Sequence, residues 1–428
     1  MPHLQTGFHP KFLSAWRTGD MAAAIKHDAL AGLTVAVVAL PLSMAIAIAS
    51  HVGPERGLYS AIVGGFIISA FGGSRFQVGG PAGAFIVLVA ALVDAKGLGG
   101  LLTAMVMAGV ILILVGLSGF GRFIRYVPQA VVLGFSAGIA IIIFASQIKD
   151  VFGLSLTGAE PAPIAEKLAT LWAAHGSFNL AALGLSLLTI ALIEGFRKFR
   201  PMWPGLLIAV VLCSVLAALH PGIVETIASK FGGIPSSLPK PTMPDLSLAA
   251  MWSLLPAAFS FALLAGIESL LSALVADGMT GRKHRSSTEL MAQGLANVVT
   301  AFFGGIVCTG LIARTATNIR AGARTPLSGI LHSVFILAFM LVAAPLAGYI
   351  PLAALAGVLV SVCWHMADKA QIGRMLRDNK KAALVMLVAF GLTVFVDLTT
   401  GIVVSTVLAF VLSPKEFLRG PQADATPH

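Results

Sequence analysis

The chain has 428 residues, 57% of them hydrophobic and only 11% charged, with a mean hydropathy of +0.93; a water-soluble globule is excluded for want of polar surface. A net charge of +10 invites a nucleic-acid reading, but the basic residues have a topological explanation given below. Cys213, Cys308 and Cys363 all lie in apolar stretches without metal-ligand spacing, which argues against a disulfide framework or a metal site.

Apolar runs near the length of a bilayer crossing recur from Leu30 to Leu412, so the chain reads as an all-α polytopic membrane protein. No short apolar region followed by a cleavage site opens it, and no removable signal peptide is expected. Residues 1–28 read as a cytoplasmic arm carrying Lys11, Arg17 and Lys26, with a surface helix over 12–25. Asp28 is placed to cap the first span, 29–50, which contains Pro41. Pro41 is either a packing kink or the mark of a nearby cavity. A short second span covers 57–71. The following FGGSRFQVGGPAGAF, residues 71–85, holds too many glycines for continuous helix, and Pro81 suits the first position of a new one.

The third and fourth spans are 81–93 and 98–117, and GRFIRYVP at 121–128 is an interfacial linker. The fifth span is 129–147, followed by an outer loop at 148–177 with one surface helix. Spans six and seven are 180–196 and 204–219, and a proline-rich loop lies at 221–246. The second half offers 252–276, 287–302, a broken segment at 306–322, 328–346, 351–364, 382–396 and 398–412. Fourteen membrane segments result. The divisions are an arm at 1–28, a first repeat at 29–220, a connecting loop at 221–251, a second repeat at 252–413 and a short cytoplasmic tail at 414–428.

Duplication is visible in the letters. Phe71-Gly72-Gly73 precedes one broken segment and Phe303-Gly304-Gly305 the other, an offset of 232. Tyr126-Val127-Pro128 with Gly134 matches Tyr349-Ile350-Pro351 with Gly357, an offset of 223. Seven crossings per half force the halves into opposite orientations, and inverted repeats with paired broken helices point to a transporter. With the N-terminus inside, 20 lysines and arginines fall on the cytoplasmic side and 6 outside; Arg75 and Arg314 complete the 28. That is the positive-inside pattern, with both termini cytoplasmic, and it removes the need for nucleic acid.

The second broken segment lies in AFFGGIVCTGLIARTATNIRAG, residues 301–322. An arginine near bilayer depth costs about 2.5–3.5 kcal/mol on insertion scales and usually lines a protein interior or a water-filled cavity. Half-helix N-termini bind anions at such breaks, so Arg314 reads as the fixed charge of an anion site. Glu268 lies between LLAGI and SLLSALVA in the eighth span. It is either a proton relay, a sodium ligand with Ser272 one turn later, or a buried hydrogen-bonding group. Arg75 favours a structural place on the cytoplasmic side. Asp94 and Asp397 read as solvated caps, the ten histidines are dispersed, and no nucleophile elbow, phosphate loop or zinc motif is present. No cofactor or metal is expected, and the chain is not read as an enzyme.

Three stretches resemble the sulfate-permease (SulP) family of anion transporters: DALAGLTVAVVALPLSMAIAIASHVGPERGLYSA, FGGSRFQVGGPAGAF and GIESLLSALVADGMTGRKHRSSTELMAQGLANVVTAFFGG. The resemblance covers residues 27–413, and the spelling is similar to a bacterial branch that includes a proton-coupled C4-dicarboxylate carrier. It implies a seven-plus-seven inverted repeat of the uracil-permease-like kind. Spans one to four and eight to eleven form a core, and the remaining spans a gate. Substrate would sit where half-helices beginning near Pro81 and Ala313 converge. Backbone at Gly80, Pro81, Ala82, Gly83, Ala313 and Thr315 would then approach the anion beside Arg314, with Leu42 and Ile46 facing it. Many relatives carry a polar residue where this chain has Leu42. The family usually adds a cytoplasmic STAS domain after the last span; these 428 residues hold none, and regulation attributed to it is not carried over.

The function expected is proton-coupled uptake of a small anion such as a C4-dicarboxylate, by elevator-like alternating access, in a homodimer surrounded by lipid in a bacterial inner membrane. The alternatives are sodium-coupled bicarbonate or sulfate transport, or an uncoupled anion channel on the same fold.

Overall fold

The computed structural model describes residues 8–17, 19–119, 128–156, 158, 160–161, 164–200, 203–396 and 398–412. Linker residues 121–127, Asp397 and the tail at 414–428 lie outside these. Every predicted span has a helical counterpart among the described residues, because each apolar run satisfies its own backbone groups only by coiling. Seven of these helices are long and apolar enough to cross a bilayer, among them Ala22–Ala49, Gln129–Phe152 and Leu248–Thr280. The nine-residue helix Ile312–Arg320 is far shorter, at about 14 Å from its rise per residue, and is a half-crossing.

The chain forms two compact units, each assembled from both halves of the sequence. One comprises Met1–Arg125 and Gly233–Leu346, and holds predicted spans one to four and eight to eleven. The other comprises Tyr126–Gly232 and Ala347–His428. In the second unit a small residue sets the approach of Gln129–Phe152 to Lys380–Phe395: a methyl group on Gly134 would lie 2.1 Å from the Met386 carbonyl oxygen. Within the same unit the proline-rich loop carries a short helix, Ile227–Phe231, and Thr226 bridges to Pro351.

In the first unit the structure corrects the reading of the N-terminal region. The surface helix is Lys11–Arg17, and the first spanning helix, Asp20–Ala49, begins well before residue 29. Gly19, at φ 72°, takes the left-handed turn between them. Asp28 therefore lies inside the spanning helix and caps nothing of its own. Fully buried, its carboxylate accepts hydrogen bonds from the backbone N–H groups of Arg324 and Thr325 and from the Thr325 hydroxyl. It satisfies the entry to the Leu327–Ala347 helix instead.

The second span contains a π-helical turn, Ser60–Gly64. This turn presents the Ser60 hydroxyl to the Ile306 backbone, donating to its carbonyl at 2.8 Å and accepting from its N–H at 2.7 Å. Spans three and four form Ile86–Leu117, broken at Gly97 with φ 68° and ψ −177°.

The two broken segments are not simply interrupted helices. Gly79–Pro81 (β1) and Cys308–Gly310 (β2) pair antiparallel, with Gly79 opposite Gly310, Gly80 opposite Thr309 and Pro81 opposite Cys308. Pro81 is thus a strand residue; helical geometry begins at the Gly83–Phe85 turn. The reason is backbone satisfaction, since extended chain buried inside a membrane protein needs an external partner and each strand supplies the other's.

Candidate functional site

Antiparallel pairing of β1 and β2 puts the two following helical segments at opposite ends of the pair, each starting one residue beyond its strand. Neither the Gly83–Phe85 turn nor the Ile312–Arg320 helix has a side-chain cap. Their leading N–H groups, carrying about half a positive charge per helix end, remain uncommitted to side chains. An anion at this crossing would meet both.

Arg314 lies in the first turn of Ile312–Arg320 and is 4% exposed. One of its terminal nitrogens, Nη2, donates to the Ser43 hydroxyl at 2.9 Å, while Nε and Nη1 have no hydrogen-bond partner among the described residues. Buried donors are nearly always paired, and those that are not call for a functional account. The guanidinium lies against β1, where a methyl group on Gly80 would come within 2.3 Å of Nη1, and Gly80 itself has φ 156°. We expect Gly80→Ala to displace Arg314 and lower anion affinity about tenfold or more, from backbone strain of about 1–3 kcal/mol. Equilibrium substrate binding to purified protein checks this. Unaltered affinity would show that the guanidinium relaxes freely.

The other predicted residues divide into two groups. Ala313 is exposed, Gly83 and Leu42 are half-buried, and Ile46, Pro81 and Ala82 are buried. Thr315 is fully buried, and its hydroxyl oxygen accepts from Val78 N–H at 3.2 Å and from the Ser272 hydroxyl at 3.1 Å. Ser272 and Thr315 thereby join the Leu248–Thr280 helix to the half-helix. The same helix holds both strands' surroundings at neighbouring positions: the Ala265 carbonyl accepts from the Thr309 hydroxyl at 3.0 Å, and the Ser269 hydroxyl oxygen accepts from Gln77 Nε2 at 2.8 Å. Glu268 lies between these attachments, with Oε2 shielded and lacking a hydrogen-bond partner among the described residues. Arg75 lies apart from this group, on the wall of a separate cavity. Asp94, read as a solvated cap, pairs with the His51 ring at 2.9 Å.

Sequence reasoning gave Glu289 and Asn297 no role. Glu289 is fully buried; its Oε2 accepts from the N–H groups of Gly73 and Ser74 at 2.8 and 3.1 Å, and Oε1 from Gln293 Nε2 at 2.8 Å. Asn297 donates to the Cys308 carbonyl at 2.8 Å and accepts from its N–H at 3.0 Å, as a strand neighbour would. Both come from Ser286–Phe302, which fixes the loop before β1 and the backbone of β2 together. The available signal was a carboxylate in the first turn of a span, in a chain that also carries an amide-rich FGGS loop. Glu289→Ala would orphan two buried N–H groups at about 1–3 kcal/mol each. We expect a clearly lower melting temperature in detergent, with Glu289→Gln intermediate. Equal melting of all three proteins would overturn the assignment.

The sequence profile described as the sulfate permease family matches residues 25–389. YvdB of Bacillus subtilis, which carries the name of a sulfate transporter, is 43% identical over 387 residues, covering 90% of this chain and 73% of that protein. The bicarbonate transporter BicA of Picosynechococcus is 33% identical over 400 residues, covering 91% and 70%. The solved transmembrane domain of a cyanobacterial BicA superposes with a TM-score of 0.80 at 31% identity, covering 88% of this chain and 97% of that one. The profile match spans both broken segments and the helices that hold them. The chain thus belongs to the sulfate permease family, whose members are anion transporters and not enzymes.

Proposed function

We propose that this chain is a secondary active transporter that takes up a small anion together with a proton, by alternating access. The observation that carries the reading is the convergence of two uncapped helix N-termini on a strand pair beside the incompletely bonded Arg314. Positive field without a matching acid among the described residues favours a bound anion over a structural ion pair. Glu268, one turn from the Ser272–Thr315 link, is the coupling group: its Oε2 is shielded from water without a hydrogen-bond partner among the described residues, a cost that a bound proton or cation removes. The anion reading is a small carboxylate such as a C4-dicarboxylate. The names of YvdB and BicA favour a second reading of the substrate, sulfate or bicarbonate; sodium in place of the proton is the alternative coupling. The seven-plus-seven inverted repeat, a homodimeric assembly and a plasma-membrane location with both termini cytoplasmic belong to the same proposal. The duplicated FGG and aromatic-Val/Ile-Pro motifs and the charge asymmetry support its repeat and topology.

Uptake by purified protein in liposomes tests it, with succinate, fumarate, sulfate and bicarbonate under imposed proton or sodium gradients. Accumulation of one anion against its gradient, driven by an inward proton gradient, is the expected result. Sodium-driven accumulation at constant pH would replace the proton, and flux without accumulation would identify a channel.

A further inference from the structure

Away from the strand pair, three chain segments enclose a cavity of about 260 Å³ whose walls include Lys11, Arg75, Asp277, Arg282, Lys283 and His284. Its framework is held by bonds that leave the cavity free. Lys11 N–H donates to the Gly72 carbonyl at 3.0 Å and Arg285 N–H to the Gly73 carbonyl at 3.0 Å, while Arg285 Nη1 donates to the His9 carbonyl at 2.7 Å. Among the described residues lining the space, Lys11, Arg282 and Lys283 face one acid, and that acid is engaged. Asp277 Oδ2 accepts from the His284 backbone N–H at 3.1 Å and meets the His284 ring Nδ1 at 2.7 Å.

The crowding is felt at Lys11, whose pKa lies below the ordinary lysine value through burial first, then Arg285 and Arg75, with Asp277 opposing. Topology alone requires basic residues on one face; it does not require three separate segments to aim them into one concavity. Like charges gathered at one concavity repel one another until an anion joins them.

We propose that this cavity is a second anion site, distinct from the one at Arg314, and that it takes a phosphate group bound by Lys11, Arg282 and Lys283. Lysine and arginine donors suit the several acceptor oxygens of a phosphate. The group belongs either to an anionic lipid headgroup or to free inorganic phosphate. Its place has a consequence for the core: Arg75 precedes by two residues Gln77, which bonds to Ser269, and by four residues the start of β1. A phosphate here braces the loop that leads into the strand pair. The proposal is independent of which anion is carried.

Calorimetric titration of the purified full chain in detergent tests it, with inorganic phosphate in one arm and short-chain phosphatidic acid in the other. Short-chain phosphatidylcholine is the blank. Saturable binding of phosphate assigns the free ion, and binding of phosphatidic acid alone assigns the lipid. In either case the double variant Arg282→Gln/Lys283→Gln should weaken binding about tenfold, as loss of two exposed charge contacts requires. Both residues are exposed, as are Arg377 and Lys380, whose double Gln variant removes equal charge elsewhere and should bind normally. Binding of neither probe, or equal weakening in both double variants, overturns the proposal. So does loss of binding in Arg314→Ala, which would mean the probe had reported the other anion site.

Discussion

Arg314→Ala is expected to bind its anion at least thirty-fold more weakly, and to lose transport at physiological concentrations, while remaining folded. The argument begins with how little Arg314 does for the fold. It is 4% exposed, yet its guanidinium makes one hydrogen bond, to Ser43, and leaves Nε and Nη1 without protein partners among the described residues. Truncation therefore orphans only a serine hydroxyl, at about 1 kcal/mol, and relieves the cost of a poorly paired buried charge. A ligand loses far more. Removing one partner of a buried charged contact weakens binding by about 2–5 kcal/mol, and thirty-fold is the lower bound of that range. Arg314→Lys should retain part of the affinity, because the charge persists without the planar fork. Ser43→Ala removes the group that aims the guanidinium and should cost about 1 kcal/mol of binding. Titration calorimetry on well-folded proteins checks all three. Normal affinity in Arg314→Ala would take Arg314 out of the site; collapse of the fold would make it structural.

Glu268→Gln should uncouple the proton from the anion. Glutamine keeps the shape and the hydrogen-bonding capacity of a neutral carboxyl but cannot titrate, so packing damage should be small. If Glu268 must hold a proton when the loaded carrier crosses, concentrative uptake driven by an inward proton gradient will vanish. Exchange of internal for external substrate will persist, because exchange never returns an empty carrier. Anion affinity will also lose its dependence on pH, since coupled binding is reciprocal. The sign is fixed: in wild type a proton on Glu268 favours the anion, so affinity falls as pH rises, and in the variant the profile flattens at the protonated-like value. Uphill accumulation by Glu268→Gln with unaltered proton dependence would show that Glu268 is structural.

Much of this architecture was legible in the letters. Apolar run lengths located the helices, the doubled FGG motif pointed to both broken segments, and an arginine among small residues identified the half-helix Ile312–Arg320. What escaped were features with no local signature. A three-residue strand such as GGP or CTG is too short to show alternation, and its partner lies in the other half of the sequence. Without that pairing Pro81 looked like a helix start; with it, the same residue continues an extended chain. Asp28 was misplaced for a related reason. An acid ahead of an apolar run resembles a cap, but the left-handed turn at Gly19 starts the helix earlier and leaves the carboxylate for Thr325. Glu289 and Asn297 were invisible as partners because they bond to backbone, whose identity no letter records.

The pairing of β1 with β2 also bears on how the protein is made. Residues 79–81 enter the membrane long before residues 308–310 leave the ribosome. Until then the extended backbone of β1 has no partner strand, and in hydrocarbon each unmet amide costs several kcal/mol. The first half of the chain must wait with this segment shielded by lipid headgroups, water or insertion machinery. The core therefore cannot be complete before the second broken segment slides in and closes the pair. A nascent chain arrested before residue 308 should expose residues 79–81 to proteolysis or amide exchange, and co-expression of the missing half should restore their protection.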